Sequence, residues 1–79
     1  MEIKVLGTGC AKCNKLFDTV NEVVSEQGWD AHVEKITDMK KITSAGIMLT
    51  PALMIDDEVK ITGKVPSKED LTKLLSKNT

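Results

Sequence analysis

A short apolar run that leads into one long amphipathic segment constrains the fold of this chain more than any other feature. Ile3–Leu6 is rich in β-forming side chains and stops at a glycine-containing turn, which predicts a short buried strand. From Cys13 to Val24 apolar side chains recur at steps of three and four residues, and this spacing predicts a helix over about Ala11–Gln27. Gly28 supplies the left-handed stop that commonly ends a helix. A strand that feeds directly into such a helix favours an α/β fold.

The remaining sequence predicts three further strands and two further helices. Loose alternation indicates a strand at Asp30–Ile36, and two apolar runs on either side of an acidic pair indicate a hairpin. Between them, a short helix is predicted that Thr37 or Asp38 caps, that turns Met39, Ile42 and Ala45 inward and that ends at Gly46. The hairpin strands are Pro51–Ile55 and Glu58–Thr62, with the turn at Asp56-Asp57 and with Val59 and Ile61 alternating with polar residues. A final helix is predicted that Ser67 caps, with Leu71, Leu74 and Leu75 as its apolar edge.

The order of the predicted elements is β-α-β-α-β-β-α. Strands that are joined through a helix should be parallel, whereas strands that are joined by a tight turn must be antiparallel. We therefore expect an α/β fold in which a four-stranded mixed sheet carries helices on both faces. With 79 residues the chain is long enough for one domain with a modest core, so we expect residues 1–79 to form a single domain.

The charge balance and the short apolar runs exclude several kinds of partner. The chain has 11 basic and 12 acidic residues, so it lacks the excess positive charge that nucleic acid or an anionic membrane surface requires. No apolar run approaches the ~20 residues that span a bilayer. The N-terminus, MEIKVLG, has no apolar block typical of a signal peptide. We expect a cytoplasmic protein that binds neither nucleic acid nor membrane.

Cys10 and Cys13 are the only cysteines, and they lie three positions apart at the predicted start of the first helix. Unpaired backbone N–H groups and the helix dipole at that end stabilise a thiolate, so we expect Cys10 to act as a nucleophile. Cys13 lies one turn further along the apolar face, where it is shielded but close enough to attack a mixed disulfide at Cys10. The pair predicts a redox-active dithiol in which Cys13 is the resolving thiol.

Other uses of the two cysteines are a staple, a metal site or inert packing. A disulfide between them would close so short a loop that it could restrain little of the unfolded chain. A structural zinc site needs four ligands, for which only His32 and carboxylates remain unless two chains share their cysteines. A copper(I) or zinc carrier that uses the same two cysteines stays open; a two-coordinate copper(I) site is its main form, because soft thiolates select that ion. We expect Met48 and Met54 to pack rather than bind metal, and His32 to lie at the surface.

Three strings in the sequence, "GTGCAKCNKL", "GIMLTPALMIDDEV" and "TGKVPS", carry a resemblance to a known family. Together they resemble the small thioredoxin-like, glutaredoxin-sized redox-active disulfide proteins of prokaryotes, and the likeness covers essentially all of the chain. The resemblance implies a thioredoxin fold and a protein thiol-disulfide oxidoreductase that works without a bound cofactor. It also implies a thioredoxin-reductase-type electron donor, disulfide-containing target proteins and a monomeric chain.

The resemblance further implies a substrate groove beside the cysteines. Thr50-Pro51 matches a proline that is cis in the family and faces the cysteines, and such a bend would leave the Thr50 backbone free to pair with a substrate strand. Gly63 matches a glycine that lines the same groove. The expected groove residues are Gly9, Ala11, Lys12, Thr50, Pro51 and Gly63.

Some positions depart from the larger members of this group. Gly9 stands where thioredoxins proper have a tryptophan, and Ala11-Lys12 replaces their Gly-Pro. Lys4 occupies the apparent position of their buried acid, which leaves the proton acceptor for Cys13 unassigned. The paired glycines with which glutaredoxins hold glutathione are missing. The redox potential is therefore not transferable, and we do not expect dependence on glutathione.

Overall fold

The computed structural model describes residues 1–9 and 11–77, and its elements follow the predicted order. Cys10, Asn78 and Thr79 lie outside the described residues. The long helix has the predicted bounds, whereas the second strand begins two residues later than Asp30. The elements are β1 (Glu2–Leu6), α1 (Ala11–Gln27), β2 (His32–Ile36), α2 (Met39–Ser44), β3 (Ala52–Ile55), β4 (Glu58–Thr62) and α3 (Lys68–Ser76).

The four strands form one mixed sheet in the order β2-β1-β3-β4. As predicted, β1 and β2 are parallel, and β3 and β4 are antiparallel. β1 also pairs antiparallel with β3, which places β1 inside the sheet. Asp56 and Asp57 form the hairpin turn with positive φ angles of 48° and 69°, a conformation that aspartate tolerates better than most side chains.

The larger hydrophobic core lies between the sheet and the pair α1 and α3. Alternate residues of the strands point toward these helices, whose apolar faces meet them. Ser67 caps α3 as predicted: its hydroxyl oxygen accepts a hydrogen bond from the Asp70 amide at 3.2 Å. The buried members of this core are Ile3, Val5, Leu16, Val20, Val23, Leu53, Ile55, Ile61, Leu71 and Leu75.

The smaller core lies on the opposite face of the sheet, under α2. Its buried members are Leu6, Ile42, Ile47 and Ala52. The Asp38 side chain accepts a hydrogen bond from the Lys40 amide at 2.9 Å and so caps α2. The sequence predicts either Thr37 or Asp38 as this cap. A helix of six residues is marginal by itself, so this packing is what stabilises it. With helices on both faces of a four-stranded mixed sheet, the predicted fold class is confirmed.

Met39 and Met48 were predicted to pack and are instead 57% and 95% exposed. Val59, which was predicted to alternate with polar residues as Ile61 does, is 42% exposed. Met39 starts the short α2, in which the buried residue is Ile42. In β4, Ile61 pairs with Leu53 and Val59 with Met54. This β-bulge places Val59 and Ile61 on opposite faces of the sheet, although their spacing predicts the same face.

No helix within the described ranges, 1–9 and 11–77, is long and apolar enough to cross a membrane.

Candidate active site

The candidate site forms at the end of the sheet where β1 leads into α1. Gly7 follows β1 directly, and its amide donates a hydrogen bond to the Ile36 carbonyl at 2.9 Å. Thr8 and Gly9 make an exposed turn, in which Gly9 has a φ angle of 89° that most side chains cannot adopt. α1 begins two residues later. Cys10, which the sequence predicts at the start of this helix, lies outside the described residues.

Cys13 lies in the first turn of α1 and is 1% exposed. It shares the apolar face of the helix with Leu16 and Val20, both fully buried. The prediction that Cys13 is a shielded thiol is therefore confirmed. By contrast, Ala11 and Lys12 are exposed in the same turn. Buried and accessible positions alternate here because a helix of 3.6 residues per turn presents residues 11 and 12 away from the face that carries residue 13.

Pro51 lies on the neighbouring strand at the same end of the sheet. Leu6 pairs with Ala52, and Ala52 pairs with Thr62, so the residues one step beyond these pairs are Gly7, Pro51 and Gly63. The Thr50–Pro51 peptide bond is cis, as the resemblance implies, with Pro51 buried and Thr50 exposed. The Gly63 amide donates a hydrogen bond to the Pro51 carbonyl at 2.8 Å.

Gly7 is the point where the thiol and the proline come together. An ideal Cβ atom built on Gly7 would lie 2.3 Å from Cys13 Sγ and 4.0 Å from Pro51 Cα. The structure therefore brings Cys13, Pro51 and Gly63 to one end of the sheet, with the exposed Gly9, Ala11 and Lys12 at the adjoining start of α1. Gly7 itself was interpreted from the sequence only as part of a loosened turn.

Asn14 and Lys35 support the turn, and sequence reasoning missed both. Asn14 Nδ2 donates to the Gly9 carbonyl at 3.5 Å, and Asn14 Oδ1 accepts from Lys35 Nζ at 2.5 Å. The Lys35 ammonium also lies 5.5 Å from the centroid of the Phe17 ring. A cation is thus held beside the first turns of α1, where residues 11–15, AKCNK, add two lysines and no acidic side chain. This local charge favours an anion at the start of the helix.

Met48 and Leu49 are also new to the site, since both stand exposed in the segment that leads to the cis bond. Leu49 is 63% exposed, and its side chain lies over Gly63: a Cβ built on Gly63 would be 3.2 Å from Leu49 Cβ. The available signal was the apolar run GIML before Thr50-Pro51, which is also consistent with packing. The result is an apolar surface beside Pro51.

Two other predictions concern residues away from this end of the sheet. His32 is exposed in the edge strand β2, as predicted. Lys4 is partly buried, with its ammonium 3.5 Å from an Asp57 carboxylate oxygen. Throughout residues 1–9 and 11–77, no three histidine, cysteine or acidic side chains cluster in a way that could hold a metal ion.

Comparison with known proteins identifies the family. Residues 1–76 match the family described as Thioredoxin domain. The chain belongs to this thioredoxin family. It is 47% identical over 76 residues to a thioredoxin of Methanothermobacter thermautotrophicus (strain Delta H), an alignment that covers 96% of this chain and 99% of that protein. It is 39% identical over 69 residues to a thioredoxin of Methanocaldococcus jannaschii, with coverage of 87% of this chain and 79% of that protein. The thioredoxin resemblance inferred from the three strings is confirmed.

Proposed function

We propose that this thioredoxin-family chain is a protein thiol-disulfide oxidoreductase that uses Cys10 as its nucleophile and Cys13 as its resolving thiol. The observation that carries the proposal is the position of Cys13, which is buried in the first turn of α1 and meets Pro51 around Gly7. A buried thiol beside an exposed turn suits a two-step exchange, because one sulfur must meet the target while the other stays protected from it. The two thioredoxins similar to this chain support the same reaction class.

The reaction starts when the Cys10 thiolate attacks one sulfur of a target disulfide. A bond forms between Cys10 and that sulfur, the target disulfide breaks, and the other target sulfur leaves as a thiolate. Cys13, after losing its proton, attacks Cys10. The Cys10–Cys13 disulfide forms, the bond to the target breaks, and the second target thiolate leaves. Two electrons pass to the target, and a thioredoxin-reductase-type donor returns two electrons to the Cys10–Cys13 pair.

Target binding is assigned to the surface around Pro51. Thr50 is exposed next to the buried proline, so its backbone can pair with an extended segment of the target. The exposed Leu49 and Met48 supply apolar contact on the same side, and Gly63 holds the Pro51 carbonyl from the other side. Gly9, Ala11 and Lys12 border the groove at the start of α1, where Lys12 contributes positive charge. The proposed targets are disulfide-containing proteins. We propose that the chain acts on them as a monomer in the cytoplasm.

Reduction of insulin disulfides by dithiothreitol tests the reaction class. The wild-type chain is expected to accelerate the reaction, because Cys10 exchanges with insulin faster than the small thiol does. The Cys10→Ser variant is the matched control and is expected to give no acceleration. Equal rates with wild type, with Cys10→Ser and without protein would refute the oxidoreductase proposal. Tight copper(I) binding against a competing chelator, combined with that result, would favour a metal carrier instead.

Trapping of mixed disulfides tests the division of roles between the two sulfurs. Cys13→Ser is expected to accumulate a covalent complex with a disulfide-containing target through Cys10, because the second step is blocked. Cys10→Ser is expected to trap little, since the remaining thiol is buried. Non-reducing electrophoresis separates the complexes. Equal trapping by the two variants would contradict the assignment of nucleophile and resolving thiol.

A further inference from the structure

Gly7 is a glycine that its backbone conformation does not require. Among the described glycines, Gly9, Gly28, Gly46 and Gly63 have positive φ angles, and Gly7 is not one of them. An ordinary side chain could therefore adopt the Gly7 backbone without strain. The reason for a glycine at this position must lie in the space around it.

That space is occupied by the resolving thiol. A Cβ atom added to Gly7 would lie 2.3 Å from Cys13 Sγ and 2.9 Å from Cys13 Cβ, both under the 3.0 Å that real Cβ atoms essentially never cross. We infer that Gly7 is a positioning residue for Cys13: its missing side chain is what allows the sulfur to lie against the end of β1. Even the smallest side chain must displace either the strand or the thiol.

The strand is the less able of the two to move. The Gly7 amide is bonded to the Ile36 carbonyl, and Leu6, the residue before it, pairs with strands on both sides. The Cys13 sulfur, in contrast, is a single atom that rotates about one side-chain bond. Helix α1 is held by the fully buried Leu16, so the side chain yields more readily than the helix as a whole. An added methyl group would therefore change the position of Sγ.

The consequence for exchange is selective, and it rests on the proposed function. The first step uses the sulfur of Cys10 and does not need Cys13 in place. The second step needs Cys13 Sγ aligned with the Cys10–target bond, and a misplacement of about 1 Å can slow such a step by about 100-fold. Gly7 is thus expected to control the release of the target while leaving the first attack unchanged.

One equivalent of dithiobis(nitrobenzoate), a small aromatic disulfide, separates the two steps. The first attack releases one coloured thionitrobenzoate, and attack by Cys13 on the mixed disulfide releases the second. For Gly7→Ala we expect a first release within about threefold of wild type and a second release slowed by about tenfold to 100-fold. Cys13→Ser, which can give only the first release, marks the limit. Gly28→Ala is the matched control, because it changes a glycine with open space around it at the other end of α1 and is expected to leave both releases unchanged.

The outcomes separate the positioning role from general damage to the fold. An unchanged second release, or equal slowing of both releases, in Gly7→Ala would overturn the role of Gly7 while leaving the oxidoreductase proposal standing. Absence of the second release in the wild-type chain would overturn both. If Gly7→Ala lowers the Tm, the decrease should be smaller in a Cys13→Ala background, which lacks the sulfur. An equal decrease in both backgrounds, or failure of the double variant to fold, would also overturn the role.

Discussion

The two faces of the sheet hold different halves of the candidate site, and they are packed to different depths. On the face under α1 and α3, ten of the described side chains form the buried core, whereas four do so on the face under α2. The larger core anchors α1 and therefore Cys13. The smaller core anchors the segment between α2 and β3 that carries Thr50 and Pro51. We call Cys13 and the start of α1 the thiol half of the site, and the segment with Thr50 and Pro51 the proline half. The thiol half should consequently open less readily than the proline half when the protein is destabilised.

Truncation of one leucine or isoleucine in each core gives the largest expected difference. Leu16→Ala, at a fully buried position of α1, is expected to lower the free energy of unfolding by about 3–5 kcal/mol. Ile42→Ala, in the thin layer of α2, is expected to cost about 2–3 kcal/mol, because less packing is lost and the surroundings can collapse more easily. Urea denaturation of the two variants measures both values. A cost for Ile42→Ala equal to that of Leu16→Ala would show that the two faces do not differ in this way.

A second change in the smaller core should reach the proline half selectively. Ile47 is 6% exposed, and its amide donates to the Ile42 carbonyl at 3.3 Å, so it joins α2 to the segment before the cis bond. Ile47→Ala is expected to cost about 2 kcal/mol and to speed hydrogen exchange at the Gly63 amide, which is bonded to Pro51. Val23→Ala in the larger core is the control.

Hydrogen exchange of the two variants under native conditions distinguishes local from global opening. In Val23→Ala the Gly63 amide should stay as protected as in wild type, even though the overall stability falls. If Gly63 exchanged equally fast in both variants, the proline half would not depend on the smaller core, and the separation of the two halves would be wrong.

Local sequence signals were sufficient for most of the fold. The three- and four-residue spacing of apolar side chains gave the bounds of α1, and side chains that can cap a helix marked the starts of α2 and α3 at Asp38 and Ser67. The exposure of Val59 was not predicted, because it depends on a bulge in the pairing with β3 that the alternation of β4 cannot reveal. Met39 was predicted inward because helical spacing was extended over a helix too short to bury it.

The candidate site was less readable, because its contacts join distant parts of the chain. The contact between Gly7 and Cys13 crosses from the end of β1 to α1, and nothing in the residue types indicates which glycine meets the thiol. The bond from Lys35 to Asn14 joins β2 to α1 in the same way. The cis state of Thr50–Pro51 followed only from the family resemblance, since most X-Pro bonds in folded proteins are trans.

Gly63 offers a smaller test of the proline half. Its φ angle of 74° disfavours any side chain, and an added Cβ would also lie 3.2 Å from Leu49 Cβ and Cδ1. Gly63→Ala is expected to cost about 1–2 kcal/mol from the backbone conformation, with an additional loss from displacing Leu49. Gly46→Ala is the matched control, because Gly46 has a similar φ angle of 78° and no atom within 4 Å of its added Cβ.

Thermal unfolding measures the loss of stability in these two glycine variants, and the insulin assay measures the effect of displacing Leu49 on activity. Both variants should lose stability, but Gly63→Ala alone should also slow insulin reduction, since it displaces Leu49 beside the groove. Slowing by Gly46→Ala to the same degree would mean that backbone strain, and not the contact with Leu49, is responsible.

The smallest expected effects come from two exposed charge pairs, which should fail at opposite ends of the pH range. On the protein surface, Lys68 of α3 donates to Glu26 of α1 at 2.6 Å, and this bond raises the pKa of Lys68 above its ordinary value of 10.5. Within β4, Lys60 donates to Glu58 at 2.7 Å and holds the pKa of Glu58 below 4.5. A lysine whose pKa is raised by folding stabilises the fold at pH values below its pKa in the unfolded chain, and this stabilisation is lost as the pH rises through the folded pKa. A carboxyl group whose pKa is lowered by folding stabilises the fold at pH values above its pKa in the unfolded chain, and this stabilisation is lost as the pH falls through the folded pKa.

Lys68→Met and Glu58→Gln should therefore lower the Tm slightly at pH 7, by less than any substitution above, because exposed pairs contribute little. For Lys68→Met the difference from wild type should shrink as the pH rises beyond 10.5, when the wild-type lysine loses its proton. For Glu58→Gln it should shrink as the pH falls below 4.5, when the wild-type carboxylate gains one. High salt should reduce both differences at pH 7. A difference for Glu58→Gln that persists in acid would show that the side chain acts through packing and not through its charge.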